Sequence, residues 1–151
     1  MRRGMMRKTV ECLADAAAAA SPLDGAFAAL AAYDWGSDAG AVKPIEDAIA
    51  AAFGDERLRG ELETRLTAVV KSGAPPAGVL LACKHLSRVG GAGCVPALAA
   101  MVARGGQVAP VARYALERIT APEAGQALRA ELARAPAAGR VGIINSLGVR
   151  R

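Results

Sequence analysis

The feature of this sequence that most restricts its fold is an internal repeat in the second half of the chain. Leu86, Leu116 and Leu147 are separated by steps of 30 and 31 residues. A repeat of this length is one supersecondary unit, and it buries its apolar face only by stacking against its neighbours. In the same register, similar residues coincide at six positions: Ala82 with Ala112 and Ile143, Val89 with Ile119, Arg88 with Arg118, Ala97-Leu98 with Ala127-Leu128, and Arg104 with Arg134.

Each repeat unit is predicted to contain two helices joined by a short turn. Helix A spans about residues 79–89, 109–119 and 139–149, and helix B spans about 95–103 and 123–134. Apolar residues recur at helical spacing in these segments, and strand alternation persists nowhere beyond a few residues. We therefore expect an all-α protein, an α-solenoid of stacked antiparallel helical pairs.

The first half of the chain has helix signals but lacks the repeat. Capping residues and prolines divide it into predicted helices at about 7–19, 22–33, up to Phe53, and from Gly54-Asp55 onwards. The only tryptophan, Trp35, follows the second helix, and we expect it to cover a junction between helical pairs.

Length and composition are consistent with one helical domain. A chain of 151 residues is long enough for a single core, and its 53% hydrophobic share is rich in alanine with only 3% aromatic residues. We predict one domain over residues 1–151, with irregular helical pairs in 1–74 and repeats in 75–151. No run of about 18 apolar residues is present to cross a membrane, and the odd cysteine count suits a reducing compartment, so we expect a cytoplasmic protein.

The amino-acid sequences of the repeats resemble those of a known family. The segment "VPALAAMV" after a glycine-containing turn resembles the second helix of a HEAT repeat, and "LLACKHLSRVG" with "ARYALERIT" is similar to its first helix. With "YDWG" and "INSLGVRR", these strings resemble bacterial, planctomycete-type HEAT-repeat proteins over about residues 30–151. The resemblance implies a right-handed, armadillo-like solenoid whose last repeat is incomplete. It also implies a non-enzymatic scaffold that binds another protein or packs against other domains of a longer parent protein.

One stretch, "VLLACKHLSRVGGAGCVPAL", has the residue types of an active site. Cys83 and His85 are two positions apart on a helix and therefore point in different directions, which does not suit one metal ion. The glycines fit neither a P-loop nor a dinucleotide fingerprint, so we expect Gly90 to end its helix in the left-handed conformation. No catalytic, cofactor-binding or metal-binding residue is predicted here.

The repeat register also assigns structural positions to these residues. Position 85 is matched by Ala115 and Ser146, which predicts a partly buried slot, and position 83 is predicted to be a tolerant flank. Cys94 begins a helix, where the helix dipole would lower the pKa of its thiol. We therefore expect Cys94 to be the most reactive cysteine.

Positive charge is concentrated in the second half of the chain. Residues 76–151 carry 10 basic and 3 acidic side chains, whereas residues 1–75 carry 9 basic and 11 acidic ones. This asymmetry favours an anionic partner, and nucleic-acid binding through residues 76–151 is the alternative to a protein scaffold. The candidate partner-binding residues are Arg88, Arg118, Arg104, Arg134, Arg113 and Tyr114, although an arginine at a helix end also stabilises that helix.

Overall fold

A computed structural model describes residues 21–150, and this part of the chain is all-helical. It has eight α-helices, two short 3₁₀ helices at Ala39–Val42 and Ala92–Cys94, and no strand within the described range. None of these helices has the length and apolar character needed to cross a membrane. The predicted helix at about 7–19 lies outside the described residues. The α-helices are α1 (Pro22–Ala31), α2 (Lys43–Ala51), α3 (Glu56–Lys71), α4 (Pro76–Val89), α5 (Val95–Arg104), α6 (Ala109–Arg118), α7 (Pro122–Leu132) and α8 (Ala137–Val149).

The starts of the helices are set by capping residues and prolines. Ser21 and Asp24 form a capping box at α1, and the Asp55 side chain accepts a hydrogen bond from the Leu58 amide at the start of α3. A proline occupies the first or second position of α1, α2, α4, α5, α6 and α7. Proline is favoured there because its ring has a helical φ and its missing N–H would have no partner.

The helices from α3 onwards pack in two rows. In one row α4 packs against α6 and α6 against α8; in the other α3 packs against α5 and α5 against α7. The rows are joined where consecutive helices pack, as α3 does with α4, α5 with α6, and α7 with α8. Each of these helices therefore packs mainly against helices one or two positions away along the chain.

The buried positions follow the repeat register. Leu86 and Leu116 are fully buried, as are Ala82, Ala112 and, to within 1%, Ile143. These side chains belong to one cluster of buried apolar residues to which all eight helices contribute. At these positions the periodicity of the sequence therefore predicts the residues that enter the core.

Trp35 does not cover a helix junction, so that prediction is wrong. Trp35 is 71% exposed and lies in the turn that follows α1. The turn closes on itself, because the Asp34 amide donates to the Ser37 hydroxyl at 3.0 Å and the Trp35 amide donates to the Asp34 carboxylate at 2.8 Å. With its polar groups paired locally, the loop leaves the indole in solvent.

Candidate functional site

The stretch with two cysteines and a histidine lies inside the protein. Cys83 and Cys94 are fully buried and His85 is 2% exposed. The predicted tolerant flank at Cys83 is wrong, and the slot of His85, predicted to be partly buried, is fully buried, because α4 packs against α1, α2, α3 and α6. Across residues 21–150, no three His, Cys, Asp or Glu side chains are grouped as ligands of a metal ion would be.

The Cys94 thiol is not activated. Burial, with a smaller contribution from the nearby Glu63 carboxylate, raises its pKa to about 12. The prediction of a lowered pKa is wrong because the start of this helix lies in the core beside a negative charge, and these effects outweigh the helix dipole. Burial also raises the pKa of the Cys83 thiol to about 12. Neither of these two cysteines has thiolate character near neutral pH.

The Glu63 carboxylate, from α3, closes the glycine-rich turn. Its Oε1 accepts a hydrogen bond from the Cys94 amide at 2.9 Å. A Cβ atom on Gly91 would lie 3.2 Å from Oε2, and one on Gly93 would lie 3.1 Å from Oε1. The space beside the glycine-rich turn is therefore filled by the Glu63 carboxylate of the protein itself. Glu63 was not predicted from the sequence, because it lies 31 residues before Cys94 and belongs to no local motif.

Gly90 ends α4 in a different conformation from the one predicted. Its φ of −65° and ψ of 145° are extended, not left-handed. A Cβ atom there would lie 2.5 Å from the Leu86 carbonyl oxygen, 2.8 Å from the Cys94 sulfur and 3.0 Å from the Ile119 side chain. Glycine is therefore required by the close approach of three groups.

His85 is a buried imidazole without a hydrogen-bond partner. Neither Nδ1 nor Nε2 is paired with any atom of the described chain. Burial lowers the pKa of His85 to about 4; the charges of Lys84 and Arg88 act in the same direction, and Glu46 opposes them. The side chain is therefore neutral near pH 7 and is a packing residue in this arrangement.

Arg113, a predicted partner-binding residue, is occupied inside the protein. Its Nη1 donates to the Gly142 carbonyl at 3.0 Å and to the Ser146 hydroxyl at 2.6 Å. Ser146 in turn donates to the Glu117 carboxylate at 2.8 Å. These bonds join α6 to α8. A Cβ atom on Gly142 would lie 2.9 Å from Arg113 Nε, so glycine gives the guanidinium room.

Arg150 covers the carboxyl end of α6, a role that the sequence analysis missed. Its Nη1 donates to the carbonyls of Leu116 at 2.7 Å and Glu117 at 3.2 Å and also to that of Ile119. Its Nη2 donates to the Ala121 carbonyl at 3.0 Å. A guanidinium has five N–H donors in a fixed plane, which suits a group of helix-end carbonyls that lack intrahelical partners.

The other candidate arginines lie on the surface, in different places. Arg88, Arg104, Arg118 and Arg134 are all exposed, and Tyr114 is 44% exposed. Arg104 and Arg134 line the same cleft, of about 660 Å³. Arg88 borders a separate hollow. Arg104 and Arg134, which share a repeat position, thus line one cleft.

No protein-family model, curated protein or solved structure matches this chain. The geometry of its own residues is therefore the basis for assigning a function.

Proposed function

We propose that the protein is a non-enzymatic, HEAT-like α-solenoid scaffold that binds another protein or packs against other domains of a longer parent protein. The observation that carries the proposal is the open apolar face of α8. On this helix Val141, Ile144 and Val149 are 61%, 56% and 66% exposed. Several exposed apolar side chains on one helix favour a surface that binds another protein.

The repeat register indicates what this face would bind. Ile144 is equivalent to Cys83 on α4 and to Arg113 on α6. Arg113 points at the next A helix, because it bonds to Gly142 and Ser146 of α8. Ile144 therefore occupies the position that faces the next helix of the row. A helical element of a partner, packed as α8 packs on α6, would cover it.

The buried polar residues support a binding role over catalysis. Both buried thiols have a pKa raised to about 12, and no group of the described residues is bonded to His85 to orient it as a base. A nucleophile needs an adjacent base in hydrogen-bond reach.

Nucleic-acid binding through residues 76–151 stays an alternative proposal. Arg113 and Arg150 donate hydrogen bonds to protein groups. Fewer arginines are thus left for phosphates, which favours the protein scaffold. Binding of a labelled oligonucleotide across a salt series tests the alternative, since phosphate contacts weaken steeply with salt.

Photocrosslinking from α8 tests the scaffold proposal. A photoreactive phenylalanine analogue replaces Ile144 in the native host, and the same analogue at the exposed Lys84 is the matched control. We expect position 144 to crosslink to one defined peptide of a partner, and the Val141→Glu substitution to abolish that adduct. Val141 is 61% exposed, so this change should leave the fold intact. Adducts that are the same from both positions, or none from position 144, contradict the proposal.

A further inference from the structure

A cleft in the described part of the chain lies between two turns of the repeat region. It is lined by the ends of α5 and α7, by the starts of α6 and α8, and by the turns between them, including Gly105 and Gly106. Its volume of about 660 Å³ is within the range of ligand-binding clefts. The helical rows therefore create a concave surface at one edge of the molecule.

The walls of the cleft are apolar and their side chains are short. Pro110 from α6, and Ala138 and Ile143 from α8, line it together with further alanine and glycine residues. Ile143 is 1% exposed and forms part of the core beneath the cleft. Such walls favour a ligand with an apolar side chain of its own.

The polar side chains that line the cleft are mainly cationic. Arg104, Arg113 and Arg134 contribute three guanidinium groups, against the single carboxylate of Glu131. Within residues 21–150, the Arg104 side chain has no hydrogen bond or salt bridge. Arg134 is 3.7 Å from Glu131 at its nearest approach, and its side chain is 77% exposed. The cleft therefore has positive charge in excess, and two of its arginines are accessible.

The helix ends at the cleft do not cancel this charge. α6 and α8 begin here after Val108 and Pro136, and neither has a side chain that caps its first amides. The carboxyl ends of α5 and α7 also reach the cleft, and Arg104 and Arg134 lie near them. Part of each arginine's charge thus stabilises its own helix, while the uncapped amides add to the attraction for an anion.

We infer that this cleft binds an acidic segment of a partner protein, in which carboxylates flank an apolar side chain. The carboxylates would pair with Arg104 and Arg134, because a guanidinium binds a carboxylate through two parallel hydrogen bonds. The apolar side chain would rest against Pro110 and Ala138. This inference depends on the proposed scaffold function, since it names one class of partner and the place where it binds.

A peptide suits the cleft better than a nucleic acid does. The lining residues, all of which lie in the described range, include no aromatic side chain on which a base could stack. A phosphate alone would satisfy the arginines and leave the apolar walls in water. Carboxylates and an apolar group on one chain match both features.

Fluorescence anisotropy with a defined probe tests the inference. The probe is a short, capped, fluorescein-labelled peptide in which glutamates flank leucines, and a version with glutamine in place of leucine tests the apolar walls. We expect Arg104→Glu and Arg134→Glu each to weaken binding of the leucine peptide by about tenfold or more. The leucine-free peptide should bind to the unchanged protein about tenfold more weakly.

Arg118→Glu is the matched control, because it makes the same charge change at an exposed position outside the cleft. It should weaken binding less than about twofold, since only long-range charge is altered. Equal losses from Arg118→Glu and Arg104→Glu, no binding to the unchanged protein, or displacement of the peptide by an oligonucleotide that binds more tightly would each overturn the inference. Thermal unfolding of every variant verifies that the fold is kept. The crosslink from position 144 is independent of these substitutions, so its persistence would mean that only the cleft assignment has failed.

Discussion

His85 and Ser146 occupy the same position of the repeat and have opposite polar environments. Both are buried, at 2% and 0% exposure. Within residues 21–150 the two nitrogens of His85 have no partner, whereas the Ser146 hydroxyl accepts from Arg113 and donates to Glu117. The register thus predicts that a position is covered, and the neighbouring helices determine whether a polar group there is paired.

The difference arises from the helices around each position. α4 carries His85 and packs against helices of both halves, α1, α2, α3 and α6. α8 carries Ser146 and packs against α6 and α7, and α6 supplies both of the polar partners of Ser146. An unpaired polar group in a densely covered position costs about 1–3 kcal/mol. The unpaired His85 therefore lowers the stability of the protein, whereas the paired Ser146 does not.

The largest expected effect is acid destabilisation through His85. Its pKa is about 4 in the folded protein and 6.5 in the unfolded chain, so the unfolded chain binds the proton more readily between these pH values. The free energy of unfolding should fall as the pH is lowered from about 6.5 to 4, by up to about 3 kcal/mol from this residue. Urea unfolding at several pH values measures it.

The control for this prediction is His85→Leu, which keeps an apolar side chain in the slot and cannot take up a proton. The carboxylates titrate equally in both proteins, so the difference between the two pH profiles isolates the histidine. Parallel profiles for the wild type and His85→Leu would mean that the imidazole is not buried as a neutral group.

The next largest effect should be a difference in stability between the variants Gly90→Ala and Gly142→Ala. Gly90→Ala places a methyl group 2.5 Å from the Leu86 carbonyl oxygen, and since backbone cannot give way cheaply we expect a loss of about 2–3 kcal/mol. Gly142→Ala meets Arg113 Nε at 2.9 Å, but a guanidinium moves easily and alanine favours the helix by about 1 kcal/mol. Its net effect should be near zero. Urea unfolding of both variants compares them, and equal losses would refute the distinction.

Removal of the Ser146 hydroxyl should have a moderate effect. Ser146→Ala leaves the Glu117 carboxylate and one Arg113 donor without the bond that joins them, which we expect to cost about 1–2 kcal/mol. Ser87→Ala is the control, because that hydroxyl donates only to the Lys84 carbonyl of its own helix and its loss should cost less than about 0.5 kcal/mol. Thermal unfolding measures both, and a larger loss at Ser87 would contradict the network.

The smallest expected change is Glu63→Gln at the glycine-rich turn. The amide oxygen can still accept from the Cys94 N–H, so the stability loss should be about 0.5–1 kcal/mol. The pKa of Cys94 should fall without reaching its ordinary value, because burial remains its main cause. Labelling with a thiol reagent across pH, with Cys12 replaced by serine, measures this. Rapid labelling of Cys94 at neutral pH in the folded wild type would disprove the buried thiol.

Much of the helical architecture could be predicted because its signals are local. The expected helices at about 79–89 and 95–103 correspond to Pro76–Val89 and Val95–Arg104. The first one begins earlier than expected because Pro76 occupies its opening turn, where proline is accepted. Glycine and proline between the apolar runs marked the remaining boundaries well.

The chemistry of the turn could not be predicted from those signals. Gly90 and Cys94 were assigned conformations and a pKa from helix-end rules, and both assignments were wrong. The controlling groups are Glu63, which lies 31 residues away in sequence, and the helices that exclude water from the thiol. Neither Glu63 nor these helices can be identified from the sequence around Gly90 and Cys94.

The spacing of apolar residues and the positions of glycine and proline were sufficient to predict the all-α class, the order of the helices and core positions such as Ala82, Leu86 and Leu116. These depend on backbone geometry within a few turns, which side-chain type controls directly. The pairing of Arg113 with Ser146, the cover of Arg150 over the end of α6, and the meeting of Arg104 and Arg134 in one cleft depended on the packed fold. Such contacts join residues about 30 positions apart, and they form only when stacked helices bring them together.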